Sequence, residues 1–573
     1  MLTSPKNKFA LLLFAVFLFA SYLHPYHIHP YRTFYHDILA VFGLLIAVSF
    51  LALAGKPCLV FPKVLLLPVS LFALVLTRSI FEAMQFSSDL IFPPMYFVLF
   101  GLAICVGASL TLSQKQSESI CLALSITHLL AGMLCLIMQI IQIFGIDAEP
   151  LVMFIARQSQ PFMRPYANVA QPNQLALLFC FSLASIWYLY QKRLLNQWAS
   201  VLLVLLLLAG LALTQSRIGW MIIPAFIVIC GYTSGGERPI NRLLFAVMLL
   251  AYITFVLSLP LLGHLLGFAS GSVAEHIGGR SERMVLMQQA WHMATQHPWL
   301  GVGWFGFGPE QVRIAADFGS TTYAEHSHNL ILNLAAELGF PATILICLGL
   351  AWWAIQCFFI KAVTVPIRFA GLFFVAVFVH SMVEFPLWYA FVLIPIGILM
   401  GMVHQLRWPS EGVLLGRPAK NVIAVILGGA FLFMALITWD YQRVTTGFRV
   451  LRWQQSGYVV DISPSERPAF TLFPQFFDYF KLTKMVAREG MSDTDIAFAE
   501  RMSHRFGYVH VLSKMAEIYT LNGKPEQAAR TMQTLQRLHP ISYPEYYDYW
   551  KAQAALDARY EVVFKTMPAR DAQ

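Results

Sequence analysis

The chain has 573 residues, of which 58% are hydrophobic and only 12% are charged. Ordinary globular proteins contain about 25% charged residues, so this composition excludes a cytosolic enzyme and a disordered scaffold and indicates a polytopic membrane protein. The net charge of +9 does not indicate nucleic-acid binding, because lysine and arginine are scattered between apolar runs without a basic stripe. The eight cysteines form no C-x-x-C pair, so the sequence predicts neither a disulfide framework nor a zinc site.

Thirteen apolar runs are each long enough to cross a membrane, whose hydrocarbon core of about 30 Å takes roughly 20 helical residues. No A-x-A cleavage motif follows the first run, so we expect a retained helix and not a signal peptide. The predicted fold is therefore all-α and polytopic. The runs lie near residues 9–23, 37–54, 61–77, 91–111, 119–144, 174–190, 198–214, 217–233, 243–267, 329–353, 366–383, 387–405 and 421–438.

The loops between these runs differ in their basic residues. One alternate set contains fourteen basic residues, eight of them lysine, whereas the other set contains eight arginines and no lysine. By the positive-inside rule the lysine-bearing loops are cytoplasmic, which places the N-terminus inside. An odd number of spans then places the C-terminal segment outside.

This assignment divides the chain into four segments. Residues 1–267 contain nine predicted spans, 268–328 form a large outer loop, 329–438 contain four more spans, and 439–573 have a charged, helical pattern without a span. The last segment contains residues at the spacing of one tetratricopeptide helix pair, which predicts a small repeat-like helical domain. These residues are Ala516, Tyr519, Gly523, Ala528, Met532 and Pro540. Such a surface binds partners or packs; the segment contains no catalytic constellation.

Polar residues cluster at the outer ends of the predicted spans, where charged and amide groups are costly unless they are paired or face water. In the first cluster, His24, His27 and His29 have a spacing that a metal site can use. Pro25 and Pro30 predict an irregular loop there, so contact with a sugar or with the membrane interface is the favoured interpretation.

The second cluster lies just before the sixth span. It contains three side-chain amides, Asn168, Gln171 and Asn173, which follow Arg164 and lie between prolines. This arrangement suits hydrogen bonding to sugar hydroxyls or to a phosphate. The alternative is a polar turn with a helix N-cap, a role that suits Asn173.

Further arginines lie on the same outer face. Arg217 occupies a tight turn between the seventh and eighth spans, and Arg280 and Arg283 lie in the long outer loop. Guanidinium groups bind phosphate oxygens bidentately, whereas lysine acts as a point charge. These arginines are therefore candidates for a phosphate site, with lipid headgroups or helix capping as the alternative for any one of them.

The long outer loop ends in a histidine motif. A glycine-rich stretch at 298–308 lacks the Gly-Lys-Ser/Thr of a P-loop, and His326-Ser-His328-Asn329 follows it at the start of the tenth span. Ser327 suits the N-cap position, and the partial positive charge of a helix N-terminus favours a neutral imidazole that can accept a proton. A further polar residue, Glu384, lies in the outer segment between the eleventh and twelfth spans.

In this order and on one face, these motifs resemble the O-antigen ligase and polymerase superfamily. The His-Ser-His-Asn motif and the arginine-rich loop with Pro-Trp-Leu-Gly-Val-Gly are similar to that superfamily as a whole. The 168–174 motif and the Val-Glu-Phe-Pro-Leu-Trp motif resemble the bacterial protein O-oligosaccharyltransferases, the pilin glycosylation ligases. The resemblance extends over all thirteen spans in order, and the soluble tail is typical of that branch.

The resemblance implies en bloc transfer of a glycan from undecaprenyl pyrophosphate to Ser or Thr of an exported protein such as a pilin, without a metal or other cofactor. It implies a location in the bacterial inner membrane, with the site and the tail periplasmic. The general base is His328, with His326 as a supporting residue, although two histidines in the motif leave that choice open. The implied pyrophosphate ligands are Arg280, Arg217, Arg283 and Arg164. Substrate-binding or structural roles fall to Asn168, Gln171, Asn173, Asn329 and Glu384.

Three other functions fit parts of the sequence. An O-antigen ligase or polymerase uses the same donor chemistry with a sugar acceptor. A lipid-linked glycan transporter is less favoured, because the polar residues cluster at one face and not near mid-membrane, where transport sites lie. A scaffold that binds partners through the tail accounts for the tail but not for the histidines.

Overall fold

The structure is a computed structural model that describes residues 5–54, 58–81, 86–155, 163–231, 238–240, 242–268, 282–456 and 466–571. Within these ranges it is almost entirely helical, and its single sheet is a two-stranded antiparallel pair of β1 (Cys58–Leu59) and β2 (Val413–Leu414). A helix coincides with each of the thirteen predicted spans. These helices are α1 (Pro5–Leu23), α2 (Phe34–Leu53), α3 (Leu66–Phe81), α4 (Ser87–Ser109), α5 (Gln114–Phe144), α6 (Pro172–Gln191), α7 (Gln197–Leu213), α8 (Ile218–Gly231), α9 (Arg242–Leu266), α12 (Leu330–Phe358), α13 (Val365–Ser381), α14 (Ala390–Arg407) and α15 (Arg417–Gln455).

Eight of the described helices are long and apolar enough to cross a membrane, namely α2, α4, α5, α6, α9, α12, α14 and α15. The predicted all-α membrane fold is therefore confirmed in class, whereas thirteen crossings stay a prediction. The loops meet in two groups at the two ends of the helices, and which group is cytoplasmic stays a prediction. β1 and β2 pair two loops predicted to be cytoplasmic, and the loops predicted to be outer contact one another at the opposite end of the helices.

Close contacts between helix backbones hold the bundle together. The glycines Gly107 of α4 and Gly401 of α14 allow the two helices to approach so closely that a Cβ at either position would collide with a carbonyl oxygen of the other helix. Small residues at such a crossing maximise van der Waals contact between membrane helices, where lipid offers no hydrophobic driving force. Along α6 every residue from Asn173 to Gln191 is buried, so this helix forms the centre of the bundle.

The glycine-rich stretch of the outer loop fits into a break in α12. At Gly339 the backbone leaves helical geometry, with φ of +79°, and the next residue but one is Pro341, which has no N–H. The carbonyl groups of Ala336 and Glu337 instead accept hydrogen bonds from loop amides, at 2.8 Å and 3.0 Å. Side chains at Gly301 or Gly339 would collide with the opposing backbone, so these glycines serve packing and form no phosphate cradle.

The outer loop and the tail are helical as well. The loop contains α10 (Glu282–Gln296) and α11 (Phe307–Ile314). The tail contains α16 (Pro474–Lys484), α17 (Asp493–Arg505), α18 (Val509–Leu521), α19 (Pro525–Leu538), α20 (Tyr543–Ala554) and α21 (Ala558–Phe564). The helices α18 and α19 form the expected pair around Gly523, whose φ is +73°, but their assignment to the tetratricopeptide class stays a prediction.

The tail is not a separate body beyond the membrane helices. Its hydrophobic cluster includes Phe34 of α2 and Phe86 beside α4, and the side chain of Arg505 forms a buried ion pair with Asp89 of α4 at 3.3 Å. The predicted segment boundary between residues 438 and 439 lies inside α15, which continues without a break to Gln455. At about 1.5 Å per residue, this helix of 39 residues is about 58 Å long, so it extends well past the membrane into the tail.

Candidate active site

The buried carboxylate of Glu384 connects several of the predicted site residues. Its Oε2 lies 3.1 Å from Nδ1 of His328, and its Oε1 accepts a hydrogen bond from Asn173 Nδ2 at 2.8 Å and forms an ion pair with Arg283. Arg164 joins the group through its hydrogen bond to Asn173 Oδ1 at 3.2 Å. We call these five residues the Glu384 network. The structure therefore brings together residues that are far apart in the sequence.

The surroundings of Glu384 keep it ionised. Burial by itself raises the pKa of this carboxyl group. The hydrogen bond from His328 and the positive charges of His328, Arg283 and His380 act in the opposite direction and prevail, so the pKa falls to about 2. At neutral pH the network therefore contains a fixed negative charge beside the imidazole.

The backbone of His328 has an unusual conformation. Its φ of +56° lies in the left-handed region, which costs free energy for a residue with a Cβ. Such strain persists only where the surroundings impose it, and it concentrates at functional sites. The imidazole is partly exposed, and its Nε2 has no partner among the described residues, whereas Nδ1 faces Glu384.

The helix that follows is capped differently from the prediction. Asn329, and not Ser327, is the N-cap of α12, because its Oδ1 accepts a hydrogen bond from the backbone N–H of Leu332 at 3.0 Å. Its amide nitrogen also donates to the carbonyl of Met382 at 3.1 Å. Asn329 thus fixes the start of α12 against the end of α13, next to the segment that contains Glu384.

His326 occupies a different environment from His328. Burial, and secondarily the charge of His328, lower the pKa of His326 to about 3, so this ring is neutral at physiological pH. Its ring packs against Phe385 with centroids 3.5 Å apart, and among the described residues its Nδ1 has no hydrogen-bond partner. No hydrogen bond links His326 to Glu384 within the described chain, and the supporting role of His326 stays a prediction.

The three side-chain amides of the second cluster make different hydrogen bonds. Asn168 is fully buried, and its side chain bonds to the backbone of Met153, Leu23 and Leu151. Gln171 is the N-cap of α6, a role the sequence had suggested for Asn173. These two amides are therefore structural, and only Asn173 reaches the Glu384 network.

The predicted arginines differ in their surroundings. Arg164 also donates to the carbonyl of Thr214 at 3.0 Å, and burial together with the charge of Arg283 lowers its pKa to about 10. Arg217 is exposed near Arg164, whose pKa its charge also lowers. Arg280 lies outside the described residues.

Ser216 belongs to this site, although the sequence did not single it out as an individual residue. The hydroxyl of Ser216 donates to Asn173 Oδ1 at 2.8 Å. Its position in the polar turn before Arg217 was the available signal. The sequence also did not predict Glu384 as the partner of His328, because nothing in it relates the two loops. The only signal was a carboxylate residue between two apolar runs.

A large apolar cavity adjoins the site. It has a volume of about 2100 Å³ and extends along the whole of α12, from Leu330 to Phe358. At the end that borders the site its lining includes His326 and Phe385, and Arg505 of the tail also lines it. The arrangement suits a ligand with a long apolar chain and a polar end.

The loop that contains His24, His27 and His29, here called the histidine loop, is held in place by direct contacts. His27 Nε2 lies 2.7 Å from the carbonyl of Asn168 and 3.0 Å from Nε2 of His36. In the part of the chain that the structure describes, no three His, Cys, Asp or Glu side chains are grouped as a metal site. The eight cysteines are free thiols.

Two family models match the chain. Residues 201–347 match the model described as O-antigen ligase, and residues 369–555 match the model described as virulence factor membrane-bound polymerase, C-terminal. The first region includes the histidine motif and the second includes Glu384. Both loops of the Glu384 network thus lie in matched regions.

Two curated proteins of Acinetobacter baylyi are similar to the chain. A general O-oligosaccharyltransferase is 27% identical over 510 residues, which cover 86% of this chain and 87% of that protein. A ComP-specific O-oligosaccharyltransferase is 26% identical over 382 residues, 65% of this chain and 66% of that protein. The two matched models and the two relatives together support placing the chain in the O-antigen ligase and polymerase superfamily, among proteins similar to O-oligosaccharyltransferases, with the activity of a glycosyltransferase.

Proposed function

We propose that the protein transfers an oligosaccharide en bloc from undecaprenyl pyrophosphate to Ser or Thr of exported, pilin-like proteins. The reaction takes place on the periplasmic face of the bacterial inner membrane and uses no metal or other cofactor. Both curated relatives are named O-oligosaccharyltransferases, which supports a protein acceptor. The large apolar cavity supports a donor with a long lipid chain.

The pair of His328 and Glu384 carries this proposal. A serine or threonine hydroxyl is a poor nucleophile at neutral pH and needs a base. The carboxylate of Glu384 accepts the Nδ1–H of His328, which leaves the lone pair on Nε2 for the acceptor hydroxyl. As the proton arrives, the fixed negative charge of Glu384 stabilises the imidazolium that forms, in the manner of a base oriented by a third group.

The leaving group requires positive charge. As the bond between the sugar and the pyrophosphate breaks, negative charge grows on the phosphate oxygens, and positioned guanidinium groups stabilise it. Arg283 is the best placed of the described candidates, because its side chain remains 28% exposed while it is paired with Glu384. We assign Arg217, Arg164 and, from the sequence, Arg280 to the same task.

An O-antigen ligase, which uses a sugar acceptor, is the second candidate. The family model that matches residues 201–347 is described by that activity. Against it, the two O-oligosaccharyltransferases are similar over far longer parts of the chain. The reacting groups are the same in both cases, so the acceptor has to be identified by experiment.

Deletion of the gene, followed by complementation, separates the two functions. We expect exported proteins to lose their glycan while lipopolysaccharide is unchanged, and we expect the wild-type gene, but not the His328→Ala variant, to restore the glycan. Intact mass spectrometry of exported proteins and gel analysis of lipopolysaccharide give the readout. Loss from lipopolysaccharide alone assigns the O-antigen ligase activity, and no loss from either contradicts both functions.

A further inference from the structure

A second cavity, with a strongly basic lining, lies beside the Glu384 network. Its volume is about 710 Å³, within the roughly 300–1,000 Å³ of typical ligand sites. We call it the arginine pocket, because four of its lining residues are arginines: Arg32, Arg164, Arg449 and Arg452. None of the described residues that line it is acidic. Guanidinium groups gathered in this way repel one another unless an anion lies between them.

Two of these arginines come from the part of α15 that extends past the membrane. Thr445, Arg449 and Arg452 lie at positions i, i+4 and i+7, so they share one face of the helix. Arg449 and Arg452 are both exposed, and neither has an acidic partner within the described chain. The helix therefore directs two uncompensated charges toward the pocket.

The opposite wall is held against α15 by specific contacts. The hydroxyl of Tyr441 lies 2.6 Å from the carbonyl oxygen of Ile28 and accepts a hydrogen bond from the backbone N–H of Tyr31 at 2.9 Å. The ring of His29 packs against Phe448 with centroids 4.5 Å apart. The loop with the histidines is thus fixed before any ligand arrives, which reduces the entropy that binding costs.

Two ring nitrogens that belong to residues lining the pocket have no hydrogen-bond partner among the described residues. Nδ1 of His27 and Nδ1 of His29 are buried and make no hydrogen bond to any described residue. Burial lowers the pKa of both rings, so they act as neutral donors or acceptors and the positive charge comes from the arginines. A buried polar group of this kind costs free energy unless a ligand or water satisfies it.

Two residues connect this pocket to the rest of the site. Arg32 lines both the arginine pocket and the large apolar cavity, and Arg164 lines the pocket while it bonds to Asn173 in the Glu384 network. A molecule with its lipid chain in the apolar cavity can therefore extend its polar end into the pocket. The donor fits this description, whereas no feature of the pocket points to a polypeptide.

We propose that the arginine pocket binds a carboxylate or phosphate substituent on a sugar of the lipid-linked donor, and so favours acidic glycans. This inference rests on the proposed function, since it takes the donor as the ligand. The pyrophosphate itself is assigned to arginines around Glu384, of which only Arg164 borders this pocket. A charge-assisted hydrogen bond from each of two arginines is sufficient for about tenfold discrimination between donors.

The test measures binding and does not depend on transfer. The full-length protein in nanodiscs of zwitterionic phosphatidylcholine is titrated with two synthetic polyprenyl-pyrophosphate disaccharides, one ending in glucuronic acid and the other in glucose. We expect the wild type to bind the acidic donor about tenfold more tightly. In the Arg449→Gln/Arg452→Gln variant the two donors bind with equal affinity, whereas Arg488→Gln, an exposed control in the tail, retains the preference.

Four results overturn the proposal. One is that the wild type binds both donors equally, and another is that the preference for the acidic donor survives in the double variant. Either result shows that the pocket does not bind the acidic group of the sugar. Inorganic pyrophosphate that abolishes the difference between the donors assigns the pocket to the leaving group. An acidic peptide whose binding is lost in the double variant, without any discrimination between donors, assigns it to the acceptor. Exported proteins that keep their glycan in the deletion strain contradict the proposed function separately.

Discussion

Nδ1 of His328 lies 3.1 Å from Oε2 of Glu384, although the two residues are 56 positions apart and belong to loops at the ends of different helices. The contact exists because Asn329 fixes the start of α12 to the carbonyl of Met382 at the end of α13. A carboxylate in this position selects the tautomer of the imidazole and so determines which nitrogen faces the acceptor.

Substitution of Glu384 by Gln tests this orientation. The amide retains the size of the side chain but removes the charge that stabilises the imidazolium. We expect glycan transfer to fall by about 10²-fold or more, within the range attributed to an oriented base. Transfer to an acceptor peptide is measured for Glu384→Gln beside Glu411→Gln, an exposed glutamate of a loop predicted to be cytoplasmic. Equal rates in the two variants would show that Glu384 has no part in catalysis.

The two histidines of the motif are separated by alanine substitution. His328→Ala removes the proposed base, and we expect transfer to be abolished in protein that is still inserted and folded. His326→Ala removes a ring that packs against Phe385, so we expect reduced but measurable transfer. The melting temperature of each purified variant checks the fold. Wild-type transfer by His328→Ala is the outcome that excludes this residue as the base.

Substitution of Arg283 tests whether this side chain stabilises the pyrophosphate leaving group. Lysine can still pair with Glu384 as a point charge, but it lacks the bidentate geometry that matches phosphate oxygens. We expect Arg283→Lys to lose at least tenfold in kcat, with a smaller change in the melting temperature than that of Arg283→Ala. If both variants transfer glycan at the wild-type rate and both have a lowered melting temperature, Arg283 serves only the stability of the Glu384 network.

The sequence predicts helices better than it predicts contacts. Apolar runs of about 20 residues indicate helices wherever they occur, because each helix satisfies its own backbone hydrogen bonds. Which side chains meet at the helix ends depends on packing between helices. The sequence alone therefore predicts neither the break at Gly339 nor the position of Glu384. The amides show the same limit, since Asn168 and Gln171 bond to the backbone and only Asn173 reaches the site.

The arginine pocket was missed for a related reason. The last apolar run ends near residue 438, and the charged residues after it were assigned to the tail. In the structure α15 continues past that point and places Arg449 and Arg452 in one pocket with His27 and His29. A change in composition marks where the lipid ends, but it does not mark where the helix ends.

The pKa of Glu384 makes stability depend on pH. In the folded protein this pKa is lowered to about 2 from an ordinary value of 4.5. The resulting stabilisation is fully present above pH 4.5 and is lost as the pH falls through about 2. We expect the difference in free energy of unfolding between the wild type and Glu384→Gln to be about 3 kcal/mol at pH 6, and to shrink steadily below pH 4.5. A difference that is constant between pH 6 and pH 3 would assign the ionisation to another group.

The buried ion pair of Arg505 and Asp89 tests whether the tail is docked on the membrane helices. Removal of one partner leaves an unpaired buried charge, which typically costs about 3–5 kcal/mol. We expect Arg505→Met alone to lower the melting temperature of the full chain and to increase proteolysis of the tail. Arg505→Met combined with Asp89→Leu removes both charges, so it should recover much of the lost stability. Arg530→Met, which breaks an exposed pair with Asp317, is the matched control and should melt like the wild type. If the double variant is no more stable than Arg505→Met, the contact does not hold the tail to α4.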